Sequence, residues 1–181
     1  LDALNYACYQ GARFMLVAAM NPCPCGWAGD PSGRCRCSPE HIRRYRARIS
    51  GPLMDRIDLH IEVPRLPPQD LRPDAPNGEA TFLIRARVEQ ARTVQLQRTG
   101  KANAQLGQAE TMAFCRLQDR DQALLERAIE RLQLSARSMH RILRVARTIA
   151  DLAGAEDIAT PHLTEALGYR RMDRGQGQQA A

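Results

Sequence analysis

The sequence predicts an α/β layer reduced to its last strands, followed by an all-α bundle. Three observations carry that reading. Residues 14–19, Phe-Met-Leu-Val-Ala-Ala, form a short apolar run stopped by Asn21-Pro22, the pattern of a buried strand in a parallel sheet. Asp58-Leu-His-Ile-Glu-Val63 alternates polar and apolar side chains, as a second strand does. From residue 79 onward apolar residues recur at helical spacing. One Trp, three Phe and four Tyr occur in 181 residues, so the core must be built from Leu, Ile, Val and Ala, as in helical bundles.

The elements follow in order. Residues 22–37 hold three Gly and three Pro, so they read as a loop that needs an external source of order. Residues 39–48 read as a helix, with Ser38 as N-cap and Pro39 in the first turn. Ile42, Tyr45 and Ile49 share one face of it, and Arg43, Arg44, Arg46 and Arg48 cover the rest. Ser50-Gly51-Pro52 breaks that helix, and residues 53–56 start a short turn. Five prolines fall within 64–78, which places a linker at 67–78 between a first domain, 1–66, and a helical domain, 79–173.

Within the helical domain, residues 79–98 predict one long helix, followed by a polar loop. Asp119 reads as the cap of a helix to about Leu132, with Gln122 at the capping-box position. Ser135 reads as the cap of a helix to about Ala153. Its core stripe is Met139, Ile142, Leu143, Ala146, Ile149, Ala150 and Ala153. Thr160-Pro161 opens a last helix to about Arg171. The Gly/Gln/Ala-rich tail, 174–181, is expected to be disordered.

The formal net charge is +6, with 25 Arg and a single Lys, Lys101. Guanidinium forks suit phosphate and carboxylate, and a GC-rich genome produces the same bias without any functional cause. No run of 18 apolar residues occurs, which argues against a membrane span. No basic stretch followed by an apolar one opens the chain, so no secretory signal is visible. A cytoplasmic location is the expectation.

Four cysteines fall in one loop: Cys23-Pro-Cys25, then Cys35-Arg-Cys37 after nine residues. Two Cys-x-Cys pairs in a cysteine-poor chain fit a tetrathiolate Zn²⁺ clamp, whose closed ligand set makes it structural. Two disulfides, redox-active thiols or unbound cysteines are the alternatives. Disulfides are disfavoured by the lack of a secretion signal. Cys8 and Cys115 are isolated and read as inert. Asn21 stands where the first strand would end. It is a turn former there, or an amide able to orient a water beside a phosphate at a strand's carboxyl end. Arg56 lies between Asp55 and Asp58. It is a surface ion pair, or an arginine that reaches a neighbouring subunit's nucleotide. Arg137, Arg141 and Arg144 share a second face of the 135–153 helix. That face is solvated, or it meets an anion at the first turn, where Arg137 sits. No complete phosphate loop occurs: Gly100-Lys101 is followed by Ala102, and Gln95 stands where the motif needs Gly. His41, His60, His140 and His162 are scattered and read as structural.

Longer stretches carry a resemblance. They are Phe14-Met-Leu-Val-Ala-Ala-Met-Asn-Pro-Cys-Pro-Cys-Gly26, Ile42-Arg-Arg-Tyr-Arg46 and Ile49-Ser-Gly-Pro-Leu-Met-Asp-Arg-Ile-Asp-Leu-His-Ile-Glu-Val-Pro64. Further on come Gly100-Lys-Ala-Asn-Ala-Gln-Leu106, the run from Leu134 to Leu152, and Tyr169-Arg-Arg-Met-Asp173. Over roughly residues 12–173 the chain resembles the magnesium-chelatase-like AAA+ ATPases of the ComM/YifB type. The resemblance implies the last strands of an AAA+ α/β core and an all-α C-terminal lid. It implies that Asn21 is the sensor-1 residue, Arg56 the arginine finger offered to the adjacent subunit, and Arg137 the sensor-2 arginine of the lid. It implies ATP with Mg²⁺ as cofactor, a hexameric homo-oligomeric ring, and DNA as partner, in helicase or branch-migration work during natural transformation. The family's phosphate loop and Walker B acids belong upstream of Phe14, and this sequence lacks them. The chain, which begins at Leu1, is therefore expected to be a C-terminal fragment, inactive alone. Two other readings remain open: a non-catalytic zinc module that binds nucleic acid or a subunit through the 39–48 helix, and a chelatase-type ATPase subunit of a porphyrin pathway.

Overall fold

The computed structural model describes residues 14–170. Cys8, residues 171–173 and the tail 174–181 lie outside them. The described residues form two compact units that divide between Arg48 and Ile49.

In the first unit, residues 14–20 have no regular secondary structure, and the loop that follows leads to helix α1, Pro39–Arg46. Ser38 caps α1: its Oγ accepts from the His41 amide at 3.2 Å, and proline occupies the first turn. Arg46 Nε donates to the Pro22 carbonyl at 3.1 Å, tying α1 to the start of the cysteine loop.

The second unit begins with a single helical turn, α2, Gly51–Met54. A 3-10 turn, Pro68–Leu71, interrupts the proline-rich stretch. Then come α3, Thr81–Thr99; a 3-10 turn, Asn103–Gln105; α4, Gln108–Phe114; α5, Asp119–Leu132; α6, Ala136–Leu152; and α7, Thr160–Gly168. Helix α6 is the hub, packing on α7, α3, α4 and the 103–105 turn, while α5 packs on α7. Leu125, Ile142, Ala146, Leu163 and Ala166 form the centre of the core. Each large aliphatic there contributes about 1.5–3 kcal/mol by leaving water. The core stripe expected on α6 is buried through Ile142, Leu143, Ala146 and Ala150, but Ala153 is exposed because the helix ends at Leu152. Gly100, at φ +73°, ends α3, and its amide returns to the Leu96 carbonyl at 2.8 Å. Gln133 ends α5 in the same left-handed region, at φ +50°.

The helical part of the expectation is met, and the strands are not formed: among the described residues there is none. A strand exists through its ladder, and neither 14–19 nor 58–63 has a neighbouring strand to pair with. Their apolar side chains are correspondingly exposed, Met15 to 87% and Val17 to 82%. One backbone bond does anchor the second segment, from the His60 amide to the Tyr169 carbonyl at 3.0 Å. Asp119 is the first residue of α5 rather than its cap. Gln118 holds the cap position without a side-chain bond, and Gln122 reaches Glu126 instead of closing a capping box. The expected polar loop after α3 contains α4. There Glu110 accepts from the Gly107 amide at 2.7 Å and pairs with Lys101 at 2.5 Å. No helix among the described residues is long and apolar enough to cross a membrane.

Candidate functional site

The cysteine loop folds on itself. Gly26, at φ +80°, turns the chain so that its amide meets the Cys23 carbonyl at 3.0 Å. The Ala28 amide donates to Cys23 Sγ at 3.3 Å. The result brings Cys23, Cys25, Cys35 and Cys37 together, with all four sulfurs within 4.8 Å of one another. Individual separations are 3.3 Å for Cys23–Cys25, 3.8 Å for Cys23–Cys35 and 3.7 Å for Cys25–Cys35. A tetrahedron built on Zn–S bonds of about 2.3 Å has edges of about 3.8 Å, so the donor set fits that ion in type, number and spacing. All four are free thiols. Their ionisation is divided. Backbone amides of Arg36 and Trp27 hold the Cys25 thiol down at about 6. Cys37 is pushed up to about 11: the Cys25 backbone acts in the opposite sense, and the Cys25 side chain and burial outweigh it. In the same loop as the four cysteines, the Arg34 guanidinium lies over the Trp27 ring, 5.0 Å from its centroid. Arg36 and the α1 arginines are exposed.

Asn21 is exposed immediately before the loop. The other two expected site residues belong to the second unit. Arg56 follows α2, and its side chain is exposed; among the described residues it donates only to the Pro52 carbonyl of its own turn, at 3.2 Å. Neither flanking carboxylate pairs with it among the described residues. Asp55 accepts from Ser135 Oγ and Ser138 Oγ, each at 3.2 Å, and lies 3.6 Å from Arg170. Asp58 accepts from Arg141 at 2.5 Å.

Arg137 stands exposed in the first turn of α6. It lines a concavity of about 310 Å³ with His140, Arg141, Arg144, Gln108 and Thr111. The three arginines of that face have separate fates. Arg141 holds the Arg56 turn, Arg144 donates to the Ala104 and Leu106 carbonyls at 3.2 and 3.1 Å, and Arg137 alone projects without a bond in the described structure. Burial lowers the pKa of Arg144.

Two groups of residues escaped sequence reasoning. Arg170, 1% exposed, donates to the Ile57 carbonyl at 2.5 Å and to Ser138 Oγ at 3.3 Å. Asp151 is buried and accepts from Arg98, from Asn103 Nδ2 at 2.8 Å and from Arg147 Nε at 3.1 Å. Arg147 also donates to the Ala155 and Glu156 carbonyls, both at 2.7 Å. The i, i+4 spacing of Arg147 and Asp151 within the apolar face of α6 was the available signal.

Comparison with known proteins adds two family matches. Residues 3–71 match magnesium chelatase, subunit ChlI, and residues 78–170 match the ChlI C-terminal domain. The competence protein ComM of Haemophilus influenzae is 50% identical over 164 residues, covering 90% of this chain and 32% of that protein. YifB of Escherichia coli is 44% identical over the same coverage. An uncharacterised protein of Mycobacterium tuberculosis is 38% identical over 169 residues, 91% of this chain and 33% of its own length. The chain thus spans about a third of the length of the curated relatives it matches.

Proposed function

The chain belongs to the magnesium-chelatase-like family, of the ComM/YifB type, and from that membership we propose that it is the sensor-and-lid part of an ATP-hydrolysing ring subunit that remodels DNA. In this reading residues 1–66 complete the AAA+ α/β domain, with the zinc loop at 22–37. Residues 67–78 link it to the lid, 79–173. Asn21 orients the attacking water, Arg137 contacts the nucleotide of its own subunit, and Arg56 reaches the nucleotide of the next. ATP with Mg²⁺ is the cofactor, a hexameric ring the assembly and the cytoplasm the location. Cys23, Cys25, Cys35 and Cys37 hold a structural Zn²⁺ that orders the loop. The exposed arginines of α1 and Arg34, stacked on Trp27, provide phosphate and base contacts for DNA.

One observation carries the reading. Arg56 is held outward on a short turn while both neighbouring carboxylates are engaged elsewhere. An arginine between two aspartates ordinarily pairs with one of them. Here its charge is left available to an anion outside the unit, which is what a finger acting in trans requires.

The test uses a chimera in which this chain replaces the corresponding third of the Haemophilus influenzae ComM protein. The chimera should hydrolyse ATP. Arg56→Ala should lower turnover by about 10³-fold or more while leaving ATP binding to each subunit intact, and mixing it with a phosphate-loop mutant should restore part of the activity. Normal turnover by Arg56→Ala sinks the finger assignment. The chain on its own should show no hydrolysis above background, since it has no phosphate loop to position the nucleotide.

A further inference from the structure

We infer that Arg141 is a positioning residue for Arg56, joining the turn that bears the finger to the helix that bears Arg137. The inference rests on the roles proposed above for those two arginines. Arg141 lies one helical turn after Arg137 on α6, about 6 Å along its axis. Its Nη1 donates to the Arg56 carbonyl at 2.8 Å and to Asp58 Oδ1 at 2.5 Å. The bonds therefore grip the backbone of the finger residue itself and the carboxylate two residues on.

Three further contacts fix the same short segment. Ser138, fully buried, donates to Asp55 Oδ1 at 3.2 Å, and Ser135, the cap of α6, donates to Oδ2 at 3.2 Å. Arg170 donates to the Ile57 carbonyl at 2.5 Å. Residues 55–58 are thus tied to α6 and Arg170 through their carbonyls and carboxylates, while among the described residues the Arg56 guanidinium bonds only within its own turn, to the Pro52 carbonyl. The arrangement suits an arm with a fixed root and a reaching tip. Because Ser135 caps α6 and Arg137, Ser138 and Arg141 occupy its first two turns, any shift of α6 that follows engagement of Arg137 must carry the root of Arg56 with it. The lid over a subunit's own nucleotide thereby sets the finger offered to its neighbour.

Two measurements test this. In the purified chain, Arg141→Gln should speed hydrogen exchange at the Ile57 and His60 amides by roughly tenfold or more, the loss expected for a charged hydrogen bond. Amides in the middle of α6 and in α7 should be unchanged. In the chimera, Arg141→Gln should lower kcat by about a hundredfold, the effect of a finger misplaced by an ångström, with KM for ATP unchanged. Arg141→Lys should recover part of the loss, and Arg137→Ala should raise KM. Unchanged exchange at Ile57 and His60 overturns the inference, as does a kcat for Arg141→Gln equal to that of the parent chimera. So does a joint fall in kcat, ATP affinity and melting temperature, which marks a merely structural residue. If Arg141→Gln fails while Arg56→Ala still abolishes turnover, the finger reading survives without the coupling. If Arg56→Ala is itself active, both fall.

Discussion

Asp151 shows how much one side chain can decide. It is buried among Arg98, Asn103 and Arg147, and it joins α3, the 103–105 turn and α6. Removing it leaves the buried Arg147 without its carboxylate, although two carbonyls still hold it. Asp151→Ala should cost about 3–5 kcal/mol, read from denaturant unfolding of the chain. A loss below 1 kcal/mol would mean that water replaces the carboxylate. The cysteines give a second prediction at this scale. The purified chain should carry about one zinc per molecule, and Cys23→Ser should abolish stoichiometric binding in metal analysis. No zinc in a chain whose loop shows four titratable thiols would refute the clamp. The cysteine set was legible in the sequence because its signal is local: residue type and spacing. The contacts of Asp55 with Ser135 and Ser138 and of Asp151 with Asn103 were not, because those partners lie 48 to 83 residues away and only packing brings them together.

Helix α4 illustrates what a short element needs. Its seven residues are too few to be stable alone, and it is held by Glu110, which accepts from the Gly107 amide and pairs with Lys101. The Lys101 hydrogen bond first, then the Gly107 amide, lowers the Glu110 pKa from its ordinary 4.5. A depressed carboxylate stabilises the fold above its unfolded pKa, and that contribution is lost as pH falls through the folded value. Glu110→Gln should therefore destabilise the chain at neutral pH, and the gap from the parent should close below about pH 4.5. A gap that persists in acid would point to packing instead of charge. Helices α1, α3, α5, α6 and α7 could be read in advance from periodicity and caps, Ser38 and Ser135 above all. Helix α4 was missed because Gly107 at its cap looks like loop, although the Gly-x-x-Glu spacing to Glu110 was present. The strands failed for another reason. Alternation and apolarity describe a side chain's preferred surroundings, and a ladder requires a neighbour that the described residues do not include.

The two units should respond independently to metal. Chelation should disorder 22–37 and leave the unfolding transition of α3–α7 in place, which circular dichroism and cysteine reactivity measured together would separate. A single transition that moves with zinc would contradict the division at Arg48. Within the second unit, the stitch from Arg170 to the Ile57 carbonyl spans 113 residues of chain. Closing so long a loop carries an entropic cost that grows with its length, whereas α6 meets α7 across a short connection. The order of folding follows. The hairpin of α6 and α7 is expected to form in the transition state, and the Arg56 turn to be sewn on after the barrier. Arg170→Ala should accordingly speed unfolding and leave the folding rate nearly untouched, whereas Leu163→Ala should slow folding. A turn attached last on the way in is the first part to detach on the way out. If the Arg56 segment serves a neighbouring subunit as proposed, the part that reaches outward is also the one whose opening needs the least disruption of its own unit.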